Sequence, residues 1–194
     1  MARSASSRAG DIRAAALELF TRLGYEATTM ADIGAAVGIR GPSLYKHVAS
    51  KQELLAQIMT STMEGLLAAH LAAVATTEDP TERLRRAAEA HVRYHARHRL
   101  EAFVGNREIR GLVEPHRGEV LALRAEYEAC FRELVNAGIS AGRFGVGSAR
   151  LASYAILDLG MGVAVWFRED GELTEDTVVW QHGEFALRIV GVKA

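Results

Sequence analysis

The stretch TTMADIGAAVGIRGPSLYKHVASKQELL, residues 28–55, decides the fold because it packs two short helices and the start of a third into 28 positions. Thr29 with Asp32 three residues later forms the pattern of a capping box, which predicts a helix over residues 30–37. Gly38 then ends that helix. The stretch shows no pattern of a nucleophile, a metal site or a phosphate-binding loop. Its function has to be inferred from the arrangement of its helices and from the rest of the chain.

A second short helix follows the turn. Pro42 suits its first turn, because the N–H that proline lacks would have no partner there, and we expect the helix to reach about His47. Ser50 with Glu53 is another capping box, and it predicts the start of a long helix. A helix, a tight turn and a second helix make the helix-turn-helix arrangement, in which the second helix enters the major groove of DNA.

The rest of the chain reads as helices separated by short breaks. Apolar residues recur at three-and-four spacing, and no alternating strand pattern of useful length is present. We therefore predict an all-α protein of about nine helices, over residues 8–23, 30–37, 42–47, 50–75, 80–99, 100–111, 115–141, 149–167 and 174–192. Residues 1–52 would form an N-terminal arm and a three-helix DNA-binding domain, and residues 53–194 a helical effector-binding and dimerisation domain.

Composition is typical of a globular protein, with 49% apolar and 24% charged residues in 194. The single cysteine, Cys130, excludes an intramolecular disulfide, and the polar N-terminus does not resemble a signal peptide, so we expect a cytoplasmic protein without a membrane span. Residues 1–52 carry seven basic against four acidic side chains, whereas the remainder carries 16 against 20. A basic first quarter on an acidic body suggests that only this quarter meets a polyanion.

The longer stretch LELFTRLGYEATTMADIGAAVGIRGPSLYKHVASKQELL, residues 17–55, resembles the DNA-binding domain of the TetR family of transcriptional regulators. The matching residues are Phe20, Gly24, Tyr25, Thr28, Thr29, Ile33, Ala36, Val37, Gly38, Leu44, Tyr45, Ser50, Lys51, Leu54 and Leu55. Val48 stands where the family usually has an aromatic residue, and Gly41-Pro42 is a less common pair, which weakens any inference about the operator sequence.

The resemblance implies that the first domain binds double-stranded operator DNA. Thr29, Tyr45 and Lys51 would hold phosphates together with His47, while Arg40, Pro42, Ser43 and Lys46 would face the bases or their flanking phosphates. The alternative for Tyr45 is a role in packing alone, and the alternative for Lys46 is ordinary solvated surface.

The resemblance also implies a small-molecule effector among the middle helices. Side chains suited to line its pocket are Tyr94, His95, Phe103, Asn106, Arg107, Tyr127, Phe131, Tyr154, Met161 and Trp166. The alternative for each of them is a position in the ordinary core or, for the charged side chains, on a solvated surface. The body, with VWFREDGELTED between its last two helices, resembles regulators of lipid or steroid breakdown in actinobacteria, which suggests an acyl-CoA or another large apolar acid as effector.

The last two helices are apolar on more than one stripe and must be covered on two sides. Residues expected at a homodimer interface are Leu151, Leu157, Val165, Val178, His182, Phe185 and Ile189. Two helices from each subunit would form a four-helix interface with twofold symmetry. The alternative is that both helices lie at the centre of a monomer.

Two other classes of function compete with a ligand-responsive repressor. One is an all-helical metal-dependent enzyme, since His91 and His95 lie four residues apart on a helix, a spacing that zinc sites use. Because further ligands and any nucleophile–base pattern are missing, we expect no enzyme, no metal and no cofactor. The other class is an architectural DNA-binding protein without an effector.

Overall fold

The computed structural model describes residues 5–39 and 41–192, and its regular structure is helical. Nine α-helices occur in these ranges, namely α1 (Ala5–Leu23), α2 (Met30–Ala36), α3 (Lys51–Val74), α4 (Pro80–Arg97), α5 (Arg99–Arg107), α6 (His116–Ser140), α7 (Ala149–Met161), α8 (Val163–Trp166) and α9 (Glu175–Ile189). Two 3₁₀ helices, Gly41–Lys46 and Ile109–Gly111, lie between them. The described residues contain no β-strand and a single isolated bridge. The all-α prediction is confirmed.

Helix starts follow local side-chain caps. The Asp79 carboxylate accepts the Glu82 N–H at 2.9 Å in front of α4, and the Ser50 hydroxyl accepts the Glu53 N–H at 3.1 Å in front of α3. Thr29, Ser148 and Thr174 cap α2, α7 and α9 in the same way. Each such cap stabilises a helix by about 1 kcal/mol, because it satisfies a backbone N–H that has no partner within the helix.

Two predicted helices have a different form in the structure. The helix expected over residues 42–47 is a 3₁₀ helix, with the His47 N–H donating to the Leu44 carbonyl at 2.9 Å. This segment is short, begins at Gly41 with φ of +44° and contains Pro42, so few α-helical hydrogen bonds are available to it. The helix expected over residues 149–167 is interrupted at Gly162, which separates α7 from α8.

Packing divides the chain into two units, one of residues 1–62 and 100–121 and the other of residues 63–99 and 122–194. The first unit extends beyond the expected boundary at residue 52, because Leu54, Leu55 and Ile58 of α3 are buried in the same core as α1 and α2. Where the DNA-binding function ends along the chain stays a prediction.

The core of the first unit joins the helix-turn-helix to a segment from the middle of the chain. Helix α1 contributes Ile12, Ala16, Leu19 and Phe20 at the predicted three-and-four spacing, and all are buried. The other buried members are Tyr25, Ile33, Leu44, Val48, Leu54, Leu55, Ala56, Ile58, Met59, Val104, Leu112 and Val120. Residues 100–121 therefore belong to the packing of the helix-turn-helix.

The core of the second unit lies where α4 packs along α9. Gly183 permits the close approach of these helices, since a Cβ at this position would lie 2.9 Å from the Glu89 carboxylate. Arg97 forms an ion pair with Glu175 at 2.7 Å at the rim of the contact. Buried residues of this unit include Leu84, Ala87, Ala88, Val92, Phe131, Val135, Ile156, Val163, Val178, Val179, Ala186 and Val190. Burial of these side chains, rather than the half-exposed ion pair, provides most of the stability.

Candidate functional site

The turn of the helix-turn-helix depends on a close backbone contact. The Ile39 N–H donates to the Gly34 carbonyl at 2.8 Å, and a Cβ on Gly34 would lie 2.6 Å from the Ile39 carbonyl oxygen. Gly38 has φ of +68°, a conformation that favours glycine. Ile33 and Leu44 are buried on either side of the turn. The two helical segments are therefore held at short range by apolar contact and by two glycines.

Most of the residues predicted to contact DNA lie on the surface of the first unit. Thr29, Pro42, Ser43, Tyr45, Lys46 and His47 are exposed, and Arg40 lies outside the described residues. Tyr45 is 56% exposed, so packing alone does not account for this large side chain. An open cleft of about 630 Å³ lies beside Tyr45, and Met30, Ala31, Gly34, Ala35, Gly38, Ile39, Gly41 and Leu44 form the rest of its lining.

Thr29 is held by a reciprocal cap. Its hydroxyl donates to the Asp32 carboxylate at 2.6 Å, and the Asp32 N–H donates back to the hydroxyl oxygen at 3.1 Å. The hydrogen bonds from Thr29 lower the pKa of Asp32. The predicted capping box is confirmed, and it fixes the orientation of the first exposed residue of the helix-turn-helix.

Lys51 has partners that differ from the expected phosphate. Its ammonium donates to the backbone carbonyls of Tyr25 at 2.8 Å, Thr28 at 2.9 Å and Glu26 at 3.3 Å. The same Nζ lies 4.2 Å from the centre of the Tyr25 ring. An ammonium group has three N–H donors, so none is left for DNA in this conformation. In this conformation Lys51 closes the turn between α1 and α2, and its predicted contact with a phosphate stays a prediction.

Gln52 is a residue that the sequence did not single out. Its Nε2 donates to the Tyr25 hydroxyl at 2.8 Å and to the Gly111 carbonyl at 2.6 Å, while its Oε1 accepts the Val113 N–H at 3.2 Å. Its backbone partners lie about 60 positions away in the chain, and no local pattern connects them.

The ten predicted pocket residues are divided between the two units. Phe103, Asn106 and Arg107 belong to the first unit, where the Arg107 guanidinium lies 4.8 Å from the centre of the Phe103 ring. The other seven belong to the second unit, and among them Tyr154 and Trp166 are exposed at 41% and 48%. His95, Tyr127 and Phe131 are buried. The contribution of each of the ten to an effector site stays a prediction.

Three histidines form a buried cluster in the second unit with Tyr127 and Phe131. The His91 Nδ1 lies 3.0 Å from the Tyr127 hydroxyl, and its Nε2 lies 3.0 Å from the Leu157 carbonyl oxygen. The His91 ring is 4.5 Å from that of His95, and the His70 ring is 5.0 Å from that of Phe131. A Cβ on Gly160 would lie 2.4 Å from the His91 ring, so this glycine lets α7 approach α4.

Burial keeps these imidazoles uncharged. It lowers the pKa of His70 and of His91 to about 4, and that of His95 to about 2. Both ring nitrogens of His91 lie within hydrogen-bonding distance of a protein oxygen, so in this conformation neither is free for a metal ion. Within the described residues, no group of three His, Cys, Asp or Glu side chains is placed to hold a metal ion.

The last helices expose a large apolar surface, although not through all of the predicted residues. Leu151 and Val165 are exposed at 69% and 72%, and Leu157, Phe185 and Ile189 are partly buried. Val178 and His182 are buried in the core of their own unit, and their place at a dimer interface stays a prediction. Leu159 and Trp180, which the apolar stripes did not single out, are also exposed, at 42% and 53%.

The stretch Ala149–Trp166 is apolar enough to cross a membrane by length and composition, and 33% of it is buried within the chain. Core helices of soluble proteins have the same length and apolar composition. The break at Gly162 divides this stretch into α7 and α8. Its exposed residues therefore form an apolar face on two short helices.

The buried histidines predict a loss of stability in mild acid. Their folded-state pKa values lie below the ordinary value of 6.5, so the unfolded chain binds more protons as the pH falls. The stabilising effect is complete above about pH 6.5 and is lost progressively toward pH 4, at up to about 1.4 kcal/mol per pH unit for each histidine. Urea unfolding between pH 7.5 and 4.5 measures this dependence.

His95→Phe is expected to lower the slope of the unfolding free energy against pH by the amount that corresponds to about one bound proton. His47→Gln, at an exposed position, serves as the matched control. An equally steep dependence in His95→Phe would contradict the assignment of the effect to the buried cluster.

Comparisons with known proteins agree with this architecture. Residues 12–58 match the family described as "Bacterial regulatory proteins, tetR family", and residues 77–190 match "Tetracyclin repressor-like, C-terminal domain". The HTH-type transcriptional repressor KstR2 of Mycobacterium tuberculosis is 28% identical over 179 residues, which cover 91% of this chain and 90% of that protein.

Solved structures extend the similarity to the whole chain. A regulatory protein of the TetR family from Rhodococcus RHA1 has a TM-score of 0.90 at 32% identity, covering 100% of both chains. The TetR-family regulator PfmR from Thermus thermophilus has a TM-score of 0.83 at 33% identity, covering 94% of this chain and 99% of its own.

Both domain matches, a full-length repressor relative and these structures point to the same family, as the resemblance of residues 17–55 predicted. The similarity to KstR2 also confirms the resemblance of the body to regulators from actinobacteria. The chain belongs to the TetR family of bacterial regulatory proteins, and it is a DNA-binding transcriptional regulator rather than an enzyme.

Proposed function

We propose that this regulator is a cytoplasmic repressor that binds a palindromic operator as a homodimer and leaves it when a small-molecule effector binds the body. The observation that carries the proposal is the exposed polar surface on a helix-turn-helix whose apolar residues are buried. Neither an enzyme nor an architectural protein is supported by the relatives, which are repressors and other transcriptional regulators.

The operator contacts follow from exposure and chemistry. Tyr45 presents a hydroxyl, Lys46 an ammonium and Ser43 a hydroxyl on the 3₁₀ helix. Such groups donate to phosphate oxygens and to base edges. Thr29 lies exposed at the start of α2, where its N–H and hydroxyl donate to Asp32, and His47 follows the 3₁₀ helix. We propose that these residues hold the operator, together with Arg40 and Pro42.

The homodimer would bury the apolar face of the last helices. Leu151, Leu159, Val165, Trp166 and Trp180 expose large apolar side chains in one unit. Monomeric soluble proteins rarely leave so many on their surface, and burial of this area provides the free energy for association. A twofold dimer places two recognition segments about 34–36 Å apart, one turn of DNA, which is what a palindromic operator requires.

The effector would be a large apolar acid or its coenzyme A thioester. KstR2, a relative over most of this chain, is a ketosteroid transcriptional regulator by name, and its structure has a TM-score of 0.87 at 26% identity. Support from this chain is the aromatic and uncharged character of the cluster around Tyr127, Phe131 and His95. A ligand releases DNA only if it binds the DNA-free conformation more tightly.

Operator binding is tested by fluorescence anisotropy on the DNA upstream of the protein's own gene, against a scrambled duplex, across a salt series. We expect Tyr45→Ala to weaken specific binding by about tenfold, because it removes one contact from each recognition segment of a dimer. Leu71→Ala replaces another large exposed side chain, in the second unit, and is expected to leave the affinity unchanged. Equal binding of both duplexes by the wild-type protein would contradict a sequence-specific regulator.

The same complex reports on the effector. Lauroyl-CoA is added to the preformed complex, with free coenzyme A and free laurate as controls, and release by lauroyl-CoA alone supports the thioester. Release by laurate as well assigns recognition to the apolar acid. Absence of release by either overturns this effector class and leaves operator binding as measured.

Lys46 and Lys51 predict opposite results for the same substitution. Lys46→Met should remove a phosphate contact, so that the plot of log affinity against log salt becomes less steep by about 0.9 per contact. The melting temperature should not change. Lys51→Met should lower the melting temperature, because three carbonyls lose their donor, and should leave the salt slope unchanged. A reduced salt slope in Lys51→Met, at unchanged melting temperature, would restore Lys51 as a phosphate ligand.

The dimer interface is tested by sedimentation velocity. Leu151→Glu places a charge on the exposed apolar face and is expected to convert a dimer into a monomer of 21.1 kDa. Leu71→Glu makes the same change at a residue of α3 that is 54% exposed, and it should remain dimeric. A monomeric wild-type protein, or a fully dimeric Leu151→Glu variant, would refute this interface.

A further inference from the structure

Gln52 joins three separate segments of the first unit through one side-chain amide. Both N–H groups of the amide are used, one toward the Tyr25 hydroxyl and one toward the Gly111 carbonyl, and the amide oxygen accepts the Val113 N–H. The three distances lie between 2.6 and 3.2 Å. One side chain therefore connects the start of α3, the turn between α1 and α2, and the segment in front of α6.

Packing reinforces the same junction. A Cβ on Gly111 would lie 2.9 Å from the Tyr25 ring, so the backbone of Gly111 rests directly on the aromatic side chain. Leu112, the next residue, is 3% exposed and belongs to the core that contains Tyr25 and Phe20. Residues 111–113 are thus attached by a hydrogen-bonded and an apolar contact at once, and a displacement of this segment would disturb Tyr25.

Tyr25 leads directly to the residues that are proposed to hold DNA. Its carbonyl, with those of Glu26 and Thr28, is bound by the Lys51 ammonium, and the next residue, Thr29, caps α2. Only four positions separate the ring that Gln52 holds from the first residue of the helix-turn-helix. A shift of the Tyr25 ring therefore acts on the start of α2 through a short, hydrogen-bonded stretch of backbone.

The chain connects the segment to the body at both ends. Residues 100–121 belong to the first unit, and they follow α4 and precede most of α6, which are elements of the second unit. A ligand that displaces the ends of α4 or α6 would therefore act on this segment through the continuous chain.

We propose that Gln52 is a positioning residue that latches residues 111–113 to the α1–α2 turn, and that this latch couples the effector-binding body to operator affinity. The inference rests on the proposed function as an operator-binding repressor and adds the element through which it is regulated. Gln52 itself touches no DNA in this scheme. By linkage, operator binding and formation of the latch stabilise one another.

The test uses the full-length protein and the upstream operator duplex, with Gln52→Met as the variant and Gln57→Met as the matched control. Gln57 is an exposed residue of the same helix whose amide binds only Glu53 among the described contacts. We expect Gln52→Met to weaken operator binding by about tenfold with an unchanged salt slope, because no phosphate contact is lost. Gln57→Met is expected to bind as the wild-type protein does.

Hydrogen exchange of the Val113 amide supplies a readout that loss of general stability would not imitate. In the wild-type protein the operator duplex should slow this exchange at least about fivefold, whereas in Gln52→Met it should have no effect. Gly111→Ala is a second variant, which disturbs the Tyr25 contact without removing a hydrogen-bonding group, and it should weaken operator binding in the same manner.

The outcomes separate the two levels of the proposal. A wild-type protein that binds no upstream duplex specifically overturns the proposed function and the latch with it. A wild-type protein that binds specifically, with Gln52→Met and Gly111→Ala binding equally well or with Val113 exchange unaffected by DNA, overturns the latch and leaves the proposed function standing.

Discussion

The ammonium of Lys51 donates hydrogen bonds to three backbone carbonyls at the turn between α1 and α2. The carbonyls of Tyr25, Glu26 and Thr28 have their oxygens within 3.3 Å of one nitrogen atom. Loss of a charged donor to three carbonyls would destabilise the turn. The path of the chain into α2, and with it the orientation of the helix-turn-helix, depends on this contact together with the Thr28 N–H bond to the Tyr25 carbonyl and the cap at Thr29.

Local chemistry was predictable from the sequence where cause and effect lie within a few residues. The caps at Thr29 and Ser50 needed only the residue and the N–H three positions later, and both are present. The 3₁₀ form of Gly41–Lys46 was not predicted, because Pro42 suits the first turn of a helix and does not distinguish the two forms. The shortness of the segment and the positive φ of Gly41 leave few α-helical hydrogen bonds.

Long-range contacts could not be predicted from the sequence, for a different reason. The motif around Lys51 indicated a cation near the helix-turn-helix, and a cation suits phosphate as well as carbonyl oxygen, so composition alone could not distinguish the partners. Val178 and His182 were predicted at the surface of α9 from its apolar stripes, but both are buried, while Trp180 between them is exposed. When a helix is apolar on two sides, the sequence pattern does not show which side packs against the core of its own chain.

The first turn of α3 concentrates these functions in four consecutive residues. Ser50 caps its own helix, Lys51 binds the α1–α2 turn, Gln52 binds Tyr25 and residues 111–113, and the Glu53 carboxylate lies 3.7 Å from the His116 ring. Successive helical side chains point about 100° apart, so four in a row reach partners on every side of the helix axis. Because each of them fixes the same turn of backbone, loss of one changes the geometry available to the others. Substitutions at these positions should therefore combine non-additively, in contrast to substitutions at the exposed contacts of the 3₁₀ helix, which share none of the partners described here.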